Sequence, residues 1–304
     1  MILTPWGEVD VMDAHVHFFS PAFYRSLAEQ KKAAEVGSML GWDVPESAEY
    51  LAERWVVEMD HNGVGGAVAI GSIPVDIESV GVATDLFPER FRGITMVNPM
   101  LAGADMRCQS ALAEGLIHGI FLFPAMHCYS LHDQHVRSLI ATVGAYPHAV
   151  VYVHCGMLSV GFRKKLGLPS PFNMGFSNPI DLHQLAMEFP RLRFVIPHFG
   201  GGYFREALMV ADLCPNVYFD TSSSNRWMRT DPASPDLVQV FRKAIEVLGP
   251  ERLLFGTDSS WFPRGWVKDV LDKQVEALLA AGVDEAGARS ILGGNLRRLF
   301  SWTK

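Results

Sequence analysis

Residues 9–17 read Val-Asp-Val-Met-Asp-Ala-His-Val-His, an apolar run that ends in two histidines separated by one residue. Similar apolar, β-rich runs recur along the chain and alternate with longer stretches of helical character. The candidate strands are residues 9–13, 66–70, 93–97, 119–123, 150–154, 193–198, 217–220 and 253–258. The helical segments between them include residues 48–62, 105–113, 135–143, 178–189 and 236–248.

The alternation of strands and helices predicts parallel pairing, and the near-continuous apolar strands predict a sheet that is buried on both faces. Eight such units in 304 residues favour a closed (β/α)8 TIM barrel, which typically needs about 250 residues, over an open doubly wound sheet. No repeat, low-complexity tract or linker marks a boundary, so we expect residues 1–304 to form one domain.

Two of the predicted connections are unusually long. Residues 18–47 follow the first strand, and residues 156–177 follow the fifth. Extended βα loops of a barrel rise from the face that carries the chemistry, so we expect these segments to form lids or walls of a site. The frequent glycines and prolines of the second segment predict an irregular wall rather than a helix.

Composition and charge exclude several classes of protein. The chain is 49% hydrophobic and 19% charged, as in a globular protein with a sizeable core. Its net charge of −7 argues against a nucleic-acid partner, and we interpret the basic run Arg163-Lys164-Lys165 as a solvated loop. No apolar run or secretory signal indicates a membrane or export, and four cysteines without a C-x-x-C spacing indicate reduced thiols. We therefore expect a cytoplasmic protein.

Polar residues end four of the predicted strands. His15 and His17 lie one residue apart, so both side chains project from the same face of the first strand. His154 ends the fifth strand, His198 the sixth and Asp258 the eighth. A satisfied core histidine is the ordinary explanation of an isolated His-x-His pair. Four strands that each deliver a histidine or an aspartate to one face of a barrel instead indicate a site for a divalent cation that prefers nitrogen ligands.

These residues also carry a family resemblance. The chain resembles the amidohydrolase superfamily, and within it the amidohydrolase-2 branch, which is similar to aminocarboxymuconate-semialdehyde decarboxylase. The segments that carry the resemblance are His15-Val16-His17, Gly119-Ile120-Phe121-Leu122-Phe123-Pro124, His154, Ser177-Asn178-Pro179 leading to Phe189-Pro190, Pro197-His198-Phe199-Gly200-Gly201 and Phe255-Gly256-Thr257-Asp258. The resemblance implies a distorted TIM barrel whose metal is held by His15, His17, His154 and Asp258. It leaves the oligomeric state open, with a homodimer as one alternative.

One segment departs from the family pattern. The branch often carries a lysine and a histidine on the fourth strand where this chain has Phe121 and Phe123. Members with two metals use a carboxylated lysine at the first of these positions to bridge their ions. A phenyl ring cannot ligate, so we expect one divalent ion, with zinc first and manganese, iron or cobalt as alternatives. His198 is then left for substrate or water.

Ordinary metal chemistry suggests how the roles divide. His15, His17 and His154 are the expected neutral nitrogen ligands, and Asp258 either ligates weakly or accepts the proton of a metal-activated water. His198 acts as a general base or as the donor that polarises the reacting carbonyl. The sequence leaves the division of proton transfer between His198 and Asp258 open.

Further residues near the predicted strand ends are candidates for secondary roles. Asp220 ends the seventh strand, where it either orients a ligand or caps a helix. An arginine can bind a substrate carboxylate through two hydrogen bonds, and aromatic side chains suit a planar or apolar small molecule. The candidate substrate contacts are Phe18, His127, Arg163, Trp261 and Arg264.

The function we expect is a metal-dependent hydrolase that acts on a small ester, lactone or amide. The first alternative is a metal-dependent, non-oxidative decarboxylase (a carboxy-lyase) of a small unsaturated or aromatic carboxylic acid. The second is a catalytically silent barrel that binds a metal. An arginine facing the metal would favour decarboxylation, and its absence would favour hydrolysis. In the decarboxylases such arginines precede the second strand, where Arg54 of this chain is out of register.

Overall fold

The computed structural model describes residues 1–74, 76–223 and 225–302. A short antiparallel hairpin, β1 (Ile2–Thr4) and β2 (Gly7–Val9), precedes the main sheet. Eight parallel strands then follow in chain order, each paired with the next. They are β3 (Met12–Phe18), β4 (Gly66–Gly71), β5 (Phe91–Val97), β6 (Gly119–Leu122), β7 (Val150–Val153), β8 (Arg193–Ile196), β9 (Val217–Asp220) and β10 (Leu253–Leu254).

The two ends of this sheet meet through main-chain hydrogen bonds. The amide of His17 donates to the carbonyl of Ser259 at 2.8 Å, and the amide of Asp258 donates to the carbonyl of His15 at 3.0 Å. The residues after β10 thus lie against β3 and bring the sheet close to full closure. The predicted (β/α)8 barrel is confirmed, although regular pairing of the last strand stops at Leu254.

Helices connect the strands and cover the outside of the barrel. They are α1 (Pro21–Lys31), α2 (Val36–Leu40), α3 (Ala48–Asn62), α4 (Glu78–Leu86), α5 (Ala104–Ala113), α6 (Pro124–His127), α7 (Gln134–Gly144), α8 (Gly161–Lys165), α9 (Leu182–Glu188), α10 (Phe204–Leu213), α11 (Leu237–Leu248), α12 (Lys268–Ala280), α13 (Glu285–Arg289) and α14 (Asn295–Leu299). Single 3-10 turns span Met174–Phe176, Pro179–Asp181, His198–Gly200, Asn225–Thr230 and Pro250–Arg252, and a π-helical turn spans Ser290–Gly294. No helix among the described residues combines the length and the apolar character needed to cross a membrane.

Local sequence signals explain where the best-defined helices begin and end. The Ser47 hydroxyl accepts the amide of Tyr50 at the start of α3, and Gly63 ends that helix in the left-handed conformation with φ 72°. Asp236 and Gln239 form a reciprocal capping box at the start of α11. These signals are why the predicted helix 48–62 coincides with α3.

The core has two layers because side chains alternate along each strand. In β6, Phe121 points into the barrel, whereas Ile120 and Leu122 point outward against the helices. Trp302 belongs to the inner layer, and its ring lies near Met12 and Gly66 at the amino ends of the strands. Side chains therefore fill the barrel at the amino ends of its strands, and the carboxyl ends remain available for a site.

The two long connections have different structures. Residues 18–47 contain α1 and α2, whose buried aromatic side chains form a small separate cluster. Residues 156–177 contain the five-residue helix α8 and one 3-10 turn. The expectation of a wholly irregular wall is corrected here, because Gly161 begins a helical turn that continues through Lys165.

Candidate active site

A cavity of about 350 Å³ lies at the carboxyl ends of the barrel strands. We call it the metal cavity. Its polar lining includes all five residues predicted to carry the chemistry: His15, His17, His154, His198 and Asp258. Its apolar lining comes mainly from the two long connections and the strand ends: Phe19, Phe23, Trp42, Met96, Phe123, Met126, Met157, Leu158, Phe162 and Trp261.

Both residues of the His-x-His pair lie within β3, which continues to Phe18 instead of ending at Asp13. The register between β3 and β4 shifts between Asp13 and Val16, as in a β-bulge. Bulges re-aim side chains next to functional sites. The two imidazole rings face the same cavity with their centroids 5.1 Å apart.

Hydrogen bonds fix which nitrogen of each imidazole carries the proton. Nδ1 of His15 lies 2.5 Å from a carboxylate oxygen of Asp220, which can only accept. Nδ1 of His17 lies 2.8 Å from the Ser72 hydroxyl, whose single proton is donated to the carbonyl of Ile70. Both Nδ1 atoms are therefore donors, and the free lone pair of each ring lies on Nε2.

These two lone pairs converge on Asp258. Its Oδ1 atom lies 3.8 Å from Nε2 of His15 and 3.4 Å from Nε2 of His17. The ligand atoms of the three residues lie within 4.8 Å of one another, and Nε2 of His15 is buried without a hydrogen-bond partner. Two nitrogen lone pairs and a carboxylate oxygen, with no proton among them, fit a divalent cation such as zinc.

The other two histidines line the same cavity outside this three-residue group. The His154 ring lies flat against Phe123 at a centroid distance of 5.3 Å, and it is 5.5 Å from the His198 ring. Nδ1 of His198 lies 2.9 Å from the Ser222 hydroxyl. The geometry thus groups three of the four predicted ligands and places His154 beside them.

Phe121 and Phe123, the two phenyl rings of the predicted fourth strand, pack against the site histidines. Phe121 is fully buried, and its ring meets the His15 ring edge to face at 5.7 Å. Phe123 covers His154. The position from which a bridging lysine would reach the metals therefore offers no ligand atom.

Burial and neighbouring charges shift the pKa values of the site. Burial lowers the pKa of His15, but the charge of Asp220 and its hydrogen bond outweigh this effect and raise the pKa overall. Burial holds the pKa values of His17 and His154 well below the ordinary value, so both are neutral at pH 7. Burial raises the pKa of Asp258. Neutral imidazole is the form that metal binding requires, and His17 and His154 are already in that form.

Unusual backbone conformations are concentrated around this cavity. His198, Phe199 and Asp258 have φ angles of 55°, 53° and 61°, in the left-handed region that side chains other than glycine rarely adopt. Such conformations persist only where the surrounding structure enforces them, and they cluster at functional sites. Asp258 lies four residues beyond Leu254, the last paired residue of β10.

Two glycines permit close approaches that a side chain would block. A Cβ atom on Gly256 would lie 2.7 Å from a carboxylate oxygen of Asp220 and 3.1 Å from Cβ of His15. A Cβ atom on Gly156 would lie 2.3 Å from the carbonyl oxygens of Gly200 and Gly201. The histidine-before-glycine pattern at the ends of the fifth and sixth strands therefore lets those two loops touch.

The predicted substrate contacts are only partly brought together. Trp261 lines the metal cavity and stacks on Trp42 at 5.1 Å. Arg264 lies behind it, with its guanidinium over the Trp261 ring at 5.1 Å and a hydrogen bond to the Ser260 hydroxyl at 2.9 Å. Phe18 is fully buried in the outer layer of the core, which corrects its assignment as a substrate contact. The next residue, Phe19, lines the cavity instead, because adjacent side chains point to opposite sides.

Arg163 and His127 do not line the metal cavity. Both line a neighbouring recess, so their role as substrate contacts stays a prediction. The Arg163 guanidinium donates to the carbonyl of Pro169 and to the side chain of Gln30. Nδ1 of His127 is buried without a partner, and burial lowers its pKa to about 4.

Several residues at the site were not predicted from the sequence. Ser72 and Ser222 contact the histidines, and they lie one residue after β4 and two residues after β9, close to strand ends like the residues that were identified. Lys165 lines the metal cavity together with Phe162, three residues earlier on α8. Residues spaced by three share one face of a helix. The interpretation of the basic run as merely solvated is therefore corrected for Lys165.

Comparisons with known proteins identify the family of this chain. The family model described as "Amidohydrolase" matches residues 12–302. Protein fluG of Emericella nidulans is 30% identical over 311 residues, which cover 97% of this chain and 34% of that protein, so the chain spans about a third of that relative's length.

Solved structures share the fold at lower sequence identity. A 5-carboxyvanillate decarboxylase from Sphingomonas paucimobilis superposes with a TM-score of 0.66 at 16% identity, covering 97% of this chain and 100% of that one. An amidohydrolase from Burkholderia multivorans with bound zinc superposes with a TM-score of 0.61 at 16% identity, covering 96% and 99%. The family match runs from the first barrel strand to the last described residue, and a group of potential metal ligands lies at the barrel mouth. This chain therefore belongs to the amidohydrolase-2 branch of the amidohydrolases.

Proposed function

We propose that the protein is a metal-dependent hydrolase that cleaves a small ester, lactone or amide. The observation that supports hydrolysis over decarboxylation is the composition of the metal cavity, since no arginine is among the described residues that line it. A decarboxylase must hold the substrate carboxylate beside the metal, and arginine is the side chain best suited to do so. Arg264 is instead directed towards Ser260 and the main chain of Asp258.

The residues that hold the cation are His15 and His17 through Nε2 and Asp258 through Oδ1. His154, in the same cavity, is the proposed fourth ligand. When bound, a zinc ion supplies a Lewis acid that polarises a carbonyl oxygen and lowers the pKa of water to about 7. Manganese, iron and cobalt accept the same donor atoms.

We assign proton transfer to Asp258. It is the carboxylate closest to the two lone-pair nitrogens, and burial raises its pKa, which makes it a stronger base than an ordinary aspartate. In the proposed reaction Asp258 accepts a proton from the attacking water and returns it to the leaving group. Its left-handed backbone conformation holds the carboxylate over the cavity.

We assign His198 as a hydrogen-bond donor to the reacting carbonyl oxygen. The Ser222 hydroxyl is fully buried, and its two neighbours are Nδ1 of His15, which already carries a proton, and Nδ1 of His198. Because a buried hydroxyl requires an acceptor, we assign the Ser222 hydroxyl as the donor to Nδ1 of His198. The proton of His198 then lies on Nε2, where it can stabilise a developing negative charge.

The second candidate is a carboxy-lyase, and Lys165 is the observation that favours it. This lysine is exposed and lines the metal cavity next to the aromatic wall. A cation there can hold the carboxylate of an aromatic acid. Both reactions would use the same cation and the same cavity. The two proposals are therefore distinguished by the products that are released.

The test is a turnover assay on protein loaded with one equivalent of zinc. The panel contains lactones, aryl esters and N-acyl amides together with unsaturated and aromatic carboxylic acids, and acid release and CO₂ release are recorded separately. We expect acid release that a chelator abolishes and that His198→Ala lowers by about 10²- to 10³-fold while zinc is retained. His183→Ala, on the outer helix α9, is the matched control. CO₂ release alone would establish the carboxy-lyase, and zinc binding without any turnover would indicate a silent barrel.

A further inference from the structure

A second cavity of about 510 Å³ adjoins the metal cavity. We call it the recess. The α1, α6 and α8 helices and the loop after β4 contribute its walls. The two cavities share six lining residues: Phe23, Ser72, Met96, Met126, Val160 and Phe162. The proposed chemistry uses the metal cavity and leaves the recess without a role.

The shared wall is apolar and adaptable. The rings of Phe23 and Phe162 meet edge to face at 5.6 Å with an interplanar angle of 80°. Met96 and Met126 complete the wall, and methionine is the apolar side chain that rearranges most easily. Such a wall suits the apolar middle part of a ligand whose two ends occupy the two cavities.

The recess carries unpaired positive charge. Arg163 uses three of its five N–H groups on neutral oxygens, two on the carbonyl of Pro169 at 2.9 and 2.7 Å and one on Gln30 at 2.9 Å. Arg25 also lines the recess, and neither arginine forms an ion pair within the part of the chain that the structure describes. Glu29 is the acidic residue among the described lining. The two arginines outnumber it, and Arg163 keeps two N–H groups for a ligand.

Building on the proposed function, we propose that the recess binds the distal carboxylate of an elongated substrate whose reacting carbonyl lies at the metal. The two remaining N–H groups of Arg163 match the two oxygens of a carboxylate, and Arg25 adds a second positive charge. The apolar part of the substrate lies against Phe23, Phe162 and the two methionines. The substrate class is therefore an acyl compound, ester, lactone or amide, that carries a carboxylate at its far end.

The experiment measures binding of unreactive acids to the zinc-loaded protein by isothermal titration calorimetry. Suberate and octanoate have the same chain length, but only suberate has a second carboxylate for Arg163 when the first is at the metal. We expect suberate to bind about tenfold more tightly than octanoate, the effect of one hydrogen-bonded charge pair. Succinate has two carboxylates but a short spacer, and we expect no gain from it. Arg163→Gln and Arg25→Gln should each reduce the preference for suberate.

The matched control is Lys164→Gln. Lys164 lies on the same helix as Arg163, carries the same charge and lines neither cavity among the described residues. Because Arg163 also braces the loop at Pro169, Arg25→Gln provides an independent variant without such bonds. Equal binding of the two acids, binding of neither, or an equal loss in Lys164→Gln would overturn the inference. Neither acid is hydrolysed, so failure of the hydrolase proposal appears only in the turnover assay.

Discussion

Asp220 holds His15 through a 2.5 Å contact between a carboxylate oxygen and Nδ1, and both side chains are buried. The two residues lie on β9 and β3, which are separated in the barrel by β10. The second oxygen of Asp220 accepts the amide of Ser222 at 2.7 Å. One carboxylate therefore fixes both the orientation of His15, a proposed metal ligand, and the start of the loop that carries the hydroxyl partner of His198.

Asp220→Asn is expected to weaken metal binding. An amide has one acceptor oxygen, so it cannot accept from both His15 and the amide of Ser222. The substitution also removes the charge that raises the pKa of His15 and keeps Nδ1 protonated. Removal of such a partner typically lowers metal affinity by about 10- to 100-fold, and we expect this loss in a competitive chelator titration with zinc. Asp212→Asn, an exposed change on α10, should leave the affinity unchanged, and equal affinities in both variants would contradict the role of Asp220.

The metal content should be one ion per chain. The lone pairs of His15 and His17 and one oxygen of Asp258 form a single group, and Phe121 occupies the position of a bridging ligand. Elemental analysis of protein purified without added metal or a histidine tag should give about one zinc or manganese ion per chain, and none in His15→Ala/His17→Ala.

The matched control for the double variant is His61→Ala/His183→Ala, which changes two histidines on the outer helices α3 and α9. It should retain the ion. Two ions per chain in the unmodified protein would show that another side chain bridges them in place of the missing lysine.

The barrel and its ligand residues could be predicted because their signals are local. Alternation within a strand places His15 and His17 on one side, and polar residues at strand ends must meet at the barrel mouth. The helix 48–62 was predicted to the residue because a serine cap and a left-handed glycine bound it. The fold class follows from such features, whereas the family was identified from the resemblance of the motifs to known amidohydrolases and is shown by the family model.

The remaining parts of the site depend on contacts between segments far apart in sequence. Ser222 lies two residues after Asp220, yet its contact with His198 follows only from the packing of β8 against β9. Phe18 was predicted as a substrate contact because the strand was expected to end at Asp13, whereas β3 continues to Phe18 and buries that side chain. Lys165 was missed because a run of three basic residues carries no sign of the helical turn that directs the last one to the cavity.

Gly256→Ala adds only a methyl group, but we expect it to lower both the free energy of unfolding and the affinity for zinc. The new carbon would lie 2.7 Å from an oxygen of Asp220 and 3.1 Å from Cβ of His15, within a region that is fully buried. Overpacking of this kind costs about 1–3 kcal/mol in the free energy of unfolding. Because the displaced atoms belong to the metal site, zinc affinity should fall with stability.

The control for this change is Gly144→Ala at the end of α7. A Cβ atom there would meet its nearest neighbour, Phe189, at an ordinary 3.6 Å. Urea unfolding should show a change of less than about 0.5 kcal/mol for this variant. A similarly small effect of Gly256→Ala, with unchanged zinc affinity, would mean that the segment after β10 shifts easily to accommodate a methyl group and that Gly256 is dispensable.

The carboxylate of Asp13 is buried, and its contribution to the free energy of unfolding is expected to depend on pH. Its oxygens accept from the amide of His15, the amide and hydroxyl of Thr257, and the indole of Trp266. Burial nevertheless raises its pKa from 3.8 to about 6, against the lowering effect of these hydrogen bonds. The folded protein therefore binds this proton more tightly than the unfolded chain does.

The contribution of Asp13 to stability should accordingly be largest below pH 4 and decline as the pH rises to about 6. The free energy of unfolding of the unmodified protein, relative to Asp13→Asn, should fall by about 3 kcal/mol across this interval, since each pKa unit corresponds to about 1.4 kcal/mol. Urea unfolding with the metal chelated, from pH 4 to pH 7, measures this difference, and Asp212→Asn should show none. The opposite slope would mean that the hydrogen bonds to Asp13 outweigh its burial, because a folded-state pKa below 3.8 makes the ionised carboxylate the stabilising form.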